Sequence, residues 1–343
     1  MPAERYAARA RRRDTTIYSE PVPDAAATDL ELLTIGRIGV DLYPEQSNVP
    51  IARVQTFAKS IGGTATNVAV AAARLGRRAA VATRVGDDPF GDYVRLALED
   101  EFSVDTRFVA TDPELPTPIV FCELDPPEDP RLIFYREPKA PDMNLVLSDL
   151  DLDTVRSVPI LWIAGSCFSD EPTRSTVHAA LGARGRRAHT VLDLDWRPMF
   201  WPSPDEGGRE IGAALDHVTA AIGNRVECEI AVGTGDHEQA AQRLLERGLE
   251  LAIVKLGGDG VYVATSAGTR ALVPPVPIDV VCGLGAGDAF GGALCHALLS
   301  GWDEIHAVRF ANAAGAIVAS RLLCAAAMPT IEEVVSLERE SAT

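Results

Sequence analysis

Apolar, strand-like runs alternate with helix-like runs along most of this chain, and this alternation restricts its possible folds more than any other feature. KSIGGTATNVAVAAARLG passes from a glycine turn into an alanine-rich helix that stops at Gly76, and RAAVATRVG follows as a strand. The same order recurs in PILWIAGS, HTVLDLDWRP, TAAIGN and ELAIVKLGG, with helices predicted near 173–184, 208–216 and 236–247. The sequence therefore predicts one doubly wound α/β domain, with a mainly parallel sheet and helices on both faces.

Two β-rich segments interrupt this alternation. Residues 117–138 form two runs around DPPEDP, a hairpin by its turn chemistry, and residues 37–61 are also β-rich. Together they predict a small β-flap over the carboxyl ends of the strands, where open α/β sheets bind ligands. The predicted organisation is a disordered arm (1–29), a domain (30–335) with its flap at about 37–61 and 117–137, and a C-terminal tail (336–343).

Charge and composition exclude several classes of partner. The formal charge of −17 would repel a phosphate backbone, so nucleic acid is not an expected partner. The six cysteines lack metal-ligand spacing and predict free thiols in a reducing, cytoplasmic setting. The alanine-rich run 311–328 contains Arg321 and predicts a buried helix, not a membrane span of about 20 apolar residues. The arginines of residues 1–13 predict a disordered arm, with an organelle-targeting peptide as the alternative.

The glycine-rich stretch VCGLGAGDAFGG lies between a predicted strand, VPIDVV, and a predicted helix. Small residues at a helix N-terminus leave backbone N–H groups free to bind an anion, and the helix dipole adds positive charge. The sequence has no P-loop, and Asp288 replaces the third glycine of the dinucleotide-binding pattern. Gly285, Ala286 and Gly287 therefore predict an anion hole, and Asp288 is either the N-cap of the helix or a general base.

Four motifs carry a resemblance to a known family. GGTATN (62–67), NRVE (224–227), VKLGGDG (254–260) and GLGAGDAF (283–290) have the order and spacing of the ribokinase-like (PfkB-type) carbohydrate kinases. More narrowly, GRIGVDLYP, FYREPKAPD and ANAAGAIVASRLLCAAAMPT are similar to the 5-dehydro-2-deoxygluconokinases of inositol catabolism. The resemblance implies a ribokinase-like fold, with Asp288 as the base and the amides of residues 285–287 holding the γ-phosphoryl group of ATP.

On the nucleotide side, the resemblance implies that Glu227 organises Mg²⁺ through water. The residues that match ATP-binding positions are Asn224, Lys255, Gly257, Gly260 and Asn312. Without the resemblance, NRVE is ordinary surface sequence, Lys255 is typical of a solvated strand end, and Asn312 is typical of a satisfied polar group in a helix.

On the sugar side, the resemblance implies that Asp41 and Asn67 bind hydroxyl groups. Gly62 and Gly63 would allow close backbone approach and form the hinge of the flap. From the local sequence alone, Asp41 is a turn residue and Asn67 is a residue that begins a helix.

An acidic substrate is expected from Tyr135, Arg136 and Lys139 on the predicted flap. Arginine offers a planar donor fork that suits a carboxylate, and related sugar-acid kinases use a similar flap element for this purpose. The alternative is a charged hairpin edge that prevents aggregation. Arg197, in DLDWRP, is similar to a strand-end motif of the same subgroup and is expected to reach the substrate or a phosphate.

These expectations combine in an ATP- and Mg²⁺-dependent kinase that phosphorylates the terminal (C6) hydroxyl of 5-dehydro-2-deoxygluconate. A kinase for another sugar acid, such as 2-dehydro-3-deoxygluconate, or for another sugar is the runner-up. A catalytically idle sugar-acid sensor is the alternative of another class, against which the intact Asp288 argues. The expected partners are the sugar acid, ATP and a second copy of the chain bound through the β-flap, without a membrane.

One departure from the family concerns monovalent cations. Many relatives have D-T-x-G-A-G-D in this loop, and the leading aspartate helps to bind the cation; here Cys282 and then Gly283 occupy the aligned positions. A neutral thiol is a poor ligand for K⁺, since hard cations prefer oxygen. Gly283 would let the backbone turn through positive φ without help. The sequence therefore predicts weak or no dependence on K⁺.

Overall fold

Strands and helices alternate along the part of the chain that this computed structural model describes, residues 29–46, 49–124 and 130–341. The strands are β1 (Leu32–Ile35), β2 (Gly39–Pro44), β3 (Phe57–Gly62), β4 (Ala79–Gly86), β5 (Val109–Asp112), β6 (Ile119–Glu123), β7 (Arg131–Tyr135), β8 (Ile160–Ala164), β9 (Thr190–Asp193), β10 (Ala220–Asn224), β11 (Leu251–Lys255), β12 (Val261–Thr265) and β13 (Arg270–Val273). The α-helices are α1 (Thr64–Arg74), α2 (Pro89–Leu96), α3 (Leu152–Ser157), α4 (Thr173–Arg184), α5 (Pro204–Leu215), α6 (Arg225–Val232), α7 (His237–Glu246), α8 (Ala286–Leu299), α9 (Glu304–Ala319) and α10 (Ile331–Ser341).

A mainly parallel sheet forms the centre of the fold. Its strand order is β13-β12-β11-β10-β9-β8-β1-β4-β5. The strands from β11 to β5 pair in parallel, and β12 and β13 add an antiparallel edge. The winding runs outward from β1 in both directions, which confirms the predicted doubly wound α/β fold.

The side chains of the sheet alternate between two apolar cores. In β1, Leu32 belongs to one core, whereas Leu33 and Ile35 belong to the other. Residues of α1, α8 and α9 complete the first core, and residues of α4, α5 and α7 complete the second. Because successive residues of a strand point to opposite faces, helices must cover both faces, as the apolar runs predicted.

A second sheet of four strands, in the order β3-β2-β6-β7, forms the flap. β2 pairs in parallel with β6, and the other neighbours pair antiparallel. The segments 37–61 and 117–137 therefore form one small sheet, as expected. Residues 125–129, which include most of the DPPEDP turn, lie outside the described residues, as do residues 1–28 of the predicted arm.

Three local predictions are wrong. VPIDVV, residues 276–281, forms no strand, since prolines at 274, 275 and 277 lack the N–H groups that a sheet requires. The helix within the alanine-rich run ends at Ala319, whose carbonyl accepts hydrogen bonds from the amides of Val281 and Cys282. The predicted C-terminal tail is helical through Ser341, because it continues α10.

All six cysteines are free, as the sequence predicted, and all six are buried. Among the described residues, no helix has both the length and the apolar character that crossing a membrane requires.

Candidate functional site

The carboxyl ends of the central strands and the inner face of the flap line a cavity of about 480 Å³. Asp193, Asn224 and Lys255 end β9, β10 and β11, and Val120 and Phe134 line the cavity from the flap. Open α/β sheets bind their ligands at this position. The residues predicted from the sequence that line the cavity are Asp41, Gly62, Gly63, Asn67, Arg136, Arg197, Asn224, Glu227, Lys255, Gly257, Gly285, Gly287 and Asp288.

Two residues predicted to bind a carboxylate do not line this cavity. Tyr135 is 64% exposed, and its ring packs 5.6 Å from that of Phe121 on the outer face of the flap. Successive residues of a strand point to opposite faces, so the inward position of Phe134 sends Tyr135 outward. Lys139 lines a neighbouring cavity and forms an ion pair with Asp170 at 3.3 Å. The expectation for this flap element is therefore corrected at both residues.

Two residues predicted to bind ATP also lie outside the cavity lining. Asn312, in α9, donates a hydrogen bond from Nδ2 to the carbonyl of Pro274 at 3.0 Å. Gly260 has φ of 95° and forms the turn between β11 and β12, where a Cβ would collide with the carbonyl of Val273. These contacts explain why asparagine and glycine occupy the two positions, without any contact to ATP.

The glycine-rich loop ends in the N-terminus of α8. Gly285 caps the helix with φ of 79°, and Ala286 is the first helical residue. The first amides of a helix have no intrahelical acceptor, so those of Ala286, Gly287 and Asp288 are free to bind an anion. Asp288 lies in the first turn and is not the N-cap, which excludes that alternative. A Cβ at Gly287 would lie 3.2 Å from Nζ of Lys255, so an ammonium group stands beside these amides.

Asp288 is held by a polar partner inside the cavity. Nδ2 of Asn67 donates a hydrogen bond to its Oδ2 at 2.7 Å. Burial raises the pKa of Asp288 to about 6, although the hydrogen bond from Asn67 acts in the opposite direction. Asn67 lies one turn inside α1, whose N-cap is Gly63, so it does not begin the helix. The pair joins two segments that are far apart in sequence.

Asp41 belongs to β2 of the flap and is not a turn residue. Its Oδ2 accepts a hydrogen bond from the hydroxyl of Tyr43 at 3.2 Å, and burial raises its pKa to about 7. A Cβ at Gly62 would collide with this carboxylate, and a Cβ at Gly63, which has φ of 107°, would collide with the carbonyl of Arg37. Both glycines are thus required by close approach.

Glu227 and Asn224 form a reciprocal cap at the start of α6. Glu227 accepts a hydrogen bond from the amide of Asn224 at 2.7 Å, and Asn224 Oδ1 accepts one from the amide of Glu227 at 2.9 Å. NRVE therefore forms a capped helix start, and Glu227 is buried.

Asp193, which was not predicted from the sequence, lines the same cavity, and burial raises its pKa to about 7. Although burial opposes its charged form, Asp193 and Glu227 raise the pKa of Lys255.

Within the described residues, no group of three histidine, cysteine or acidic side chains is arranged to hold a metal ion. Asp193 and Glu227 nevertheless offer two carboxylates on the cavity wall. Mg²⁺ is usually bound by one or two carboxylates together with waters and the phosphates of a nucleotide. The donor set fits Mg²⁺ brought with ATP, and it does not fit a metal enclosed by the protein.

Arg37 and Asp195 line the cavity and were also missed. They form a buried ion pair at 3.1 Å. The signal available in the sequence was a charged residue two positions after the end of each apolar strand, as in LLTIGR and TVLDLD. Arg136, which was predicted, forms an ion pair with the buried Asp142 at 2.5 Å. The positive charge of Arg136 is therefore balanced by the protein itself.

The loop around Cys282 differs from the expectation in one respect. Gly285, and not Gly283, has the positive φ that the turn requires. Cys282 is buried against Tyr43, Cys122 and Cys324. Its thiol thus belongs to a small apolar cluster beneath the glycine-rich loop.

Comparison with known proteins gives a consistent result. A family model described as pfkB family carbohydrate kinase matches residues 29–331. The chain is 31% identical over 311 residues to a 5-dehydro-2-deoxygluconokinase of Geobacillus thermodenitrificans (strain NG80-2), which covers 89% of this chain and 92% of that protein. A double mutant of fructokinase from Vibrio cholerae O395, with fructose, ADP and potassium ion bound, has a TM-score of 0.78 at 27% identity and covers 91% of this chain and 99% of that one. Fructokinase with bound ATP from Xylella fastidiosa shares the fold, with a TM-score of 0.79 at 24% identity over 91% of this chain and 99% of that one.

Proposed function

The chain belongs to the pfkB family of carbohydrate kinases, and from that premise we propose that it transfers the γ-phosphoryl group of ATP to the terminal (C6) hydroxyl of a sugar acid. The substrate that we propose is 5-dehydro-2-deoxy-D-gluconate, the compound named in the relatives that align over most of the chain. The observation that carries the proposed chemistry is Asp288, buried, bound by Asn67 and adjacent to the free amides of α8.

In the proposed reaction, Asp288 takes the proton of the sugar hydroxyl. The hydroxyl oxygen forms a bond to the γ-phosphorus, the bond from that phosphorus to the β–γ bridging oxygen breaks, and ADP leaves. The amides of Gly285, Ala286 and Gly287 would bind the negative charge on the transferring group, and Lys255 adds a cation beside them. Asp41 and Asn67 would bind sugar hydroxyls, and Gly62 leaves room for the Asp41 carboxylate.

For the nucleotide, we propose that Asn224, Lys255 and Gly257 contact the phosphates. Glu227 and Asp193 would hold Mg²⁺, directly or through water, and Mg²⁺ bound with ATP neutralises charge on the phosphates. The burial of Glu227 supports this role, because its capping contacts fix its carboxylate at the cavity wall.

For the acid group, we propose that Arg197 contacts the carboxylate. Arg136 remains a cation of the cavity wall whose charge Asp142 balances. The geometry gives no support to the roles predicted for Tyr135 and Lys139. A sensor without catalysis has no use for Asp288 and its free amides, which favours an enzyme.

The proposed substrate can be tested with the purified protein in an assay that couples ADP release to NADH oxidation. We expect kcat/KM for 5-dehydro-2-deoxygluconate to exceed that for fructose, ribose and gluconate at least about 100-fold, since unpaired buried polar groups penalise wrong substrates strongly. A preference for 2-dehydro-3-deoxygluconate or for a neutral sugar would overturn the proposal that 5-dehydro-2-deoxygluconate is the substrate. Binding of a sugar acid without any ADP release would favour the sensor.

We also propose weak dependence on K⁺. The buried thiol of Cys282 replaces a carboxylate, and a neutral thiol is a poor ligand for K⁺. Exchanging K⁺ for choline at constant ionic strength should change the steady-state rate less than about threefold, well under the 1.4 kcal/mol of a tenfold effect. The related fructokinase with bound potassium ion sets the opposite expectation, and a tenfold loss would support it.

The outer face of the flap is proposed to bind a second copy of the chain. The rings of Phe57 and Phe121 lie 5.2 Å apart there, and Tyr135 is exposed beside them. Such an apolar face is typical of an interface between protein chains. Light scattering should give the mass of a dimer, and a monomer at micromolar concentration would contradict this proposal.

A further inference from the structure

We infer that Arg37 is a further substrate-binding residue, which holds the carboxylate of the substrate together with Arg197, and that the buried Asp195 positions both guanidinium groups. This inference rests on the proposed sugar-acid kinase function. It identifies the residues by which the site would distinguish an acid from a neutral sugar.

Arg37 is fixed on the cavity wall by a closed set of hydrogen bonds. Its Nε donates to Ser166 Oγ at 2.9 Å, and its Nη2 donates to Thr64 Oγ1 at 2.8 Å. Both hydroxyls in turn donate to the carboxylate of Asp195, at 2.5 Å from Ser166 and 3.1 Å from Thr64. Asp195 also accepts from Nη2 of Arg37. A guanidinium held in this way loses little entropy when it binds a ligand.

Donors of the two arginines remain available. The contacts among the described residues use Nε and Nη2 of Arg37 and leave its Nη1 without a protein acceptor. Arg197 forms an ion pair with Asp195 at 3.2 Å, but its buried Nε has no hydrogen-bond partner among the residues that the structure describes. A buried donor without a partner is costly, so a ligand acceptor at this position would be bound favourably.

The charges lead to the same conclusion. Arg37 and Arg197 both pair with the carboxylate of Asp195, so these two guanidinium groups share one ion-pair partner. Arg136 has its own carboxylate, since Asp142 is fully buried and pairs with it alone among the described basic residues. Lys255 lies near Asp193 and Glu227, which raise its pKa, so Arg37 and Arg197 are the two cations of the cavity that share a single ion-pair partner.

The chemistry of this pair identifies the class of ligand. Two guanidinium groups across one aspartate present several N–H donors to a planar anion, and a carboxylate accepts such donors through both oxygens. The geometry thus favours a sugar acid over a neutral sugar, because a hydrogen bond from a guanidinium group to a carboxylate is stronger than one to a neutral hydroxyl group.

The inference is tested with Arg37→Met, using the sugar acid and the neutral alcohol in which its carboxylate is reduced. We expect KM for the acid to rise at least about tenfold and KM for the alcohol to change less than about threefold, because only the acid loses a charge-assisted bond. The kcat values should change little, since the reacting hydroxyl is at the other end of the substrate. The matched control is Lys139→Met, which removes a positive charge outside the cavity and should leave the ratio of the two KM values unchanged.

Arg37→Lys keeps the charge and removes the planar fork, so its KM for the acid should lie between those of wild type and Arg37→Met. Arg37→Lys also tests the role of Arg37 if the Arg37→Met variant does not fold. Equal changes of KM for acid and alcohol in a folded variant, judged by thermal melting, would overturn the inference and leave Arg37 a structural residue. If wild-type protein phosphorylates no sugar acid, the proposed function itself fails; if it does and the KM ratio survives in both variants, only the inference fails.

Discussion

Asp288→Asn is expected to lower kcat at least about 100-fold while the KM for ATP stays within about threefold of wild type, as for the loss of a general base. Asparagine preserves the shape of the side chain and can still accept the hydrogen bond from Asn67. It cannot take the proton of the sugar hydroxyl. Steady-state kinetics with both substrates varied measures this effect, and near-normal turnover would refute the role of Asp288.

The pH profile gives an independent measure of the same group. Because burial raises the pKa of Asp288 to about 6, wild-type kcat/KM should fall tenfold per pH unit below about pH 6, as the base becomes protonated. The residual activity of Asp288→Asn should lack this acidic limb. An unchanged limb in the variant would assign it to another group, such as Asp41, whose pKa burial raises to about 7.

Asp288→Asn should also stabilise the protein at neutral pH. The pKa is about 6 in the folded chain against 3.8 for an ordinary aspartate, so the folded state binds the proton more tightly. The free energy of unfolding therefore falls as pH rises from about 4 to 6, by on the order of 1 to 3 kcal/mol. The melting temperature of the variant should exceed that of wild type at pH 8 and approach it near pH 4.

Gly285→Ala is expected to lower kcat at least about 100-fold, comparable to the loss of an oxyanion-hole donor. Gly285 has φ of 79°, and a Cβ there would lie 2.7 Å from the Sγ of Cys324 and 2.9 Å from its Cβ. The helix start must then shift, and the amides of Ala286 and Gly287 shift with it. The KM for the sugar should change less than kcat, since the sugar contacts lie on other elements.

The control for this substitution is Gly301→Ala. Gly301 has φ of 68°, and no atom lies within 4 Å of the position that its Cβ would occupy. Alanine at this position would therefore carry similar backbone strain, of about 1 to 2 kcal/mol, without a collision and outside the cavity. A variant at Gly301 that loses as much kcat as Gly285→Ala would show that strain alone, and not displacement of the amides, lowers the rate.

The sequence predicted most of the main sheet because its signals are local. In β8, β10 and β11, short apolar runs between polar turns indicated strands that are buried on both faces, and Gly76 marked the end of α1. The residues of the glycine-rich loop were also predictable, since a helix N-terminus and its free amides depend only on neighbouring residues. The strand predicted at VPIDVV was wrong because its apolar pattern was given more weight than the prolines at 274, 275 and 277, which lack the N–H groups that a sheet requires.

The rest depends on contacts between distant segments. Arg37 and Asp195 are separated by 158 positions, and only the adjacency of β1, β8 and β9 brings them together. The orientation of Tyr135 follows from the register of β7 against β6, where Phe134 opposes Val120 on the inner face. A shift of one residue in the pairing of β7 with β6 would have turned Tyr135 inward. This pairing could not be predicted from the sequence of β7 alone.

The connection between the two sheets limits how far the flap can travel. Only Gly36, Arg37 and Ile38 separate the last residue of β1 from the first residue of β2. Arg37 is anchored to Asp195, and Asp41 follows it after four peptide links, which span at most about 14 Å when fully extended. In any position of the flap, Asp41 therefore stays within about 14 Å of Arg37, which is fixed on the cavity wall.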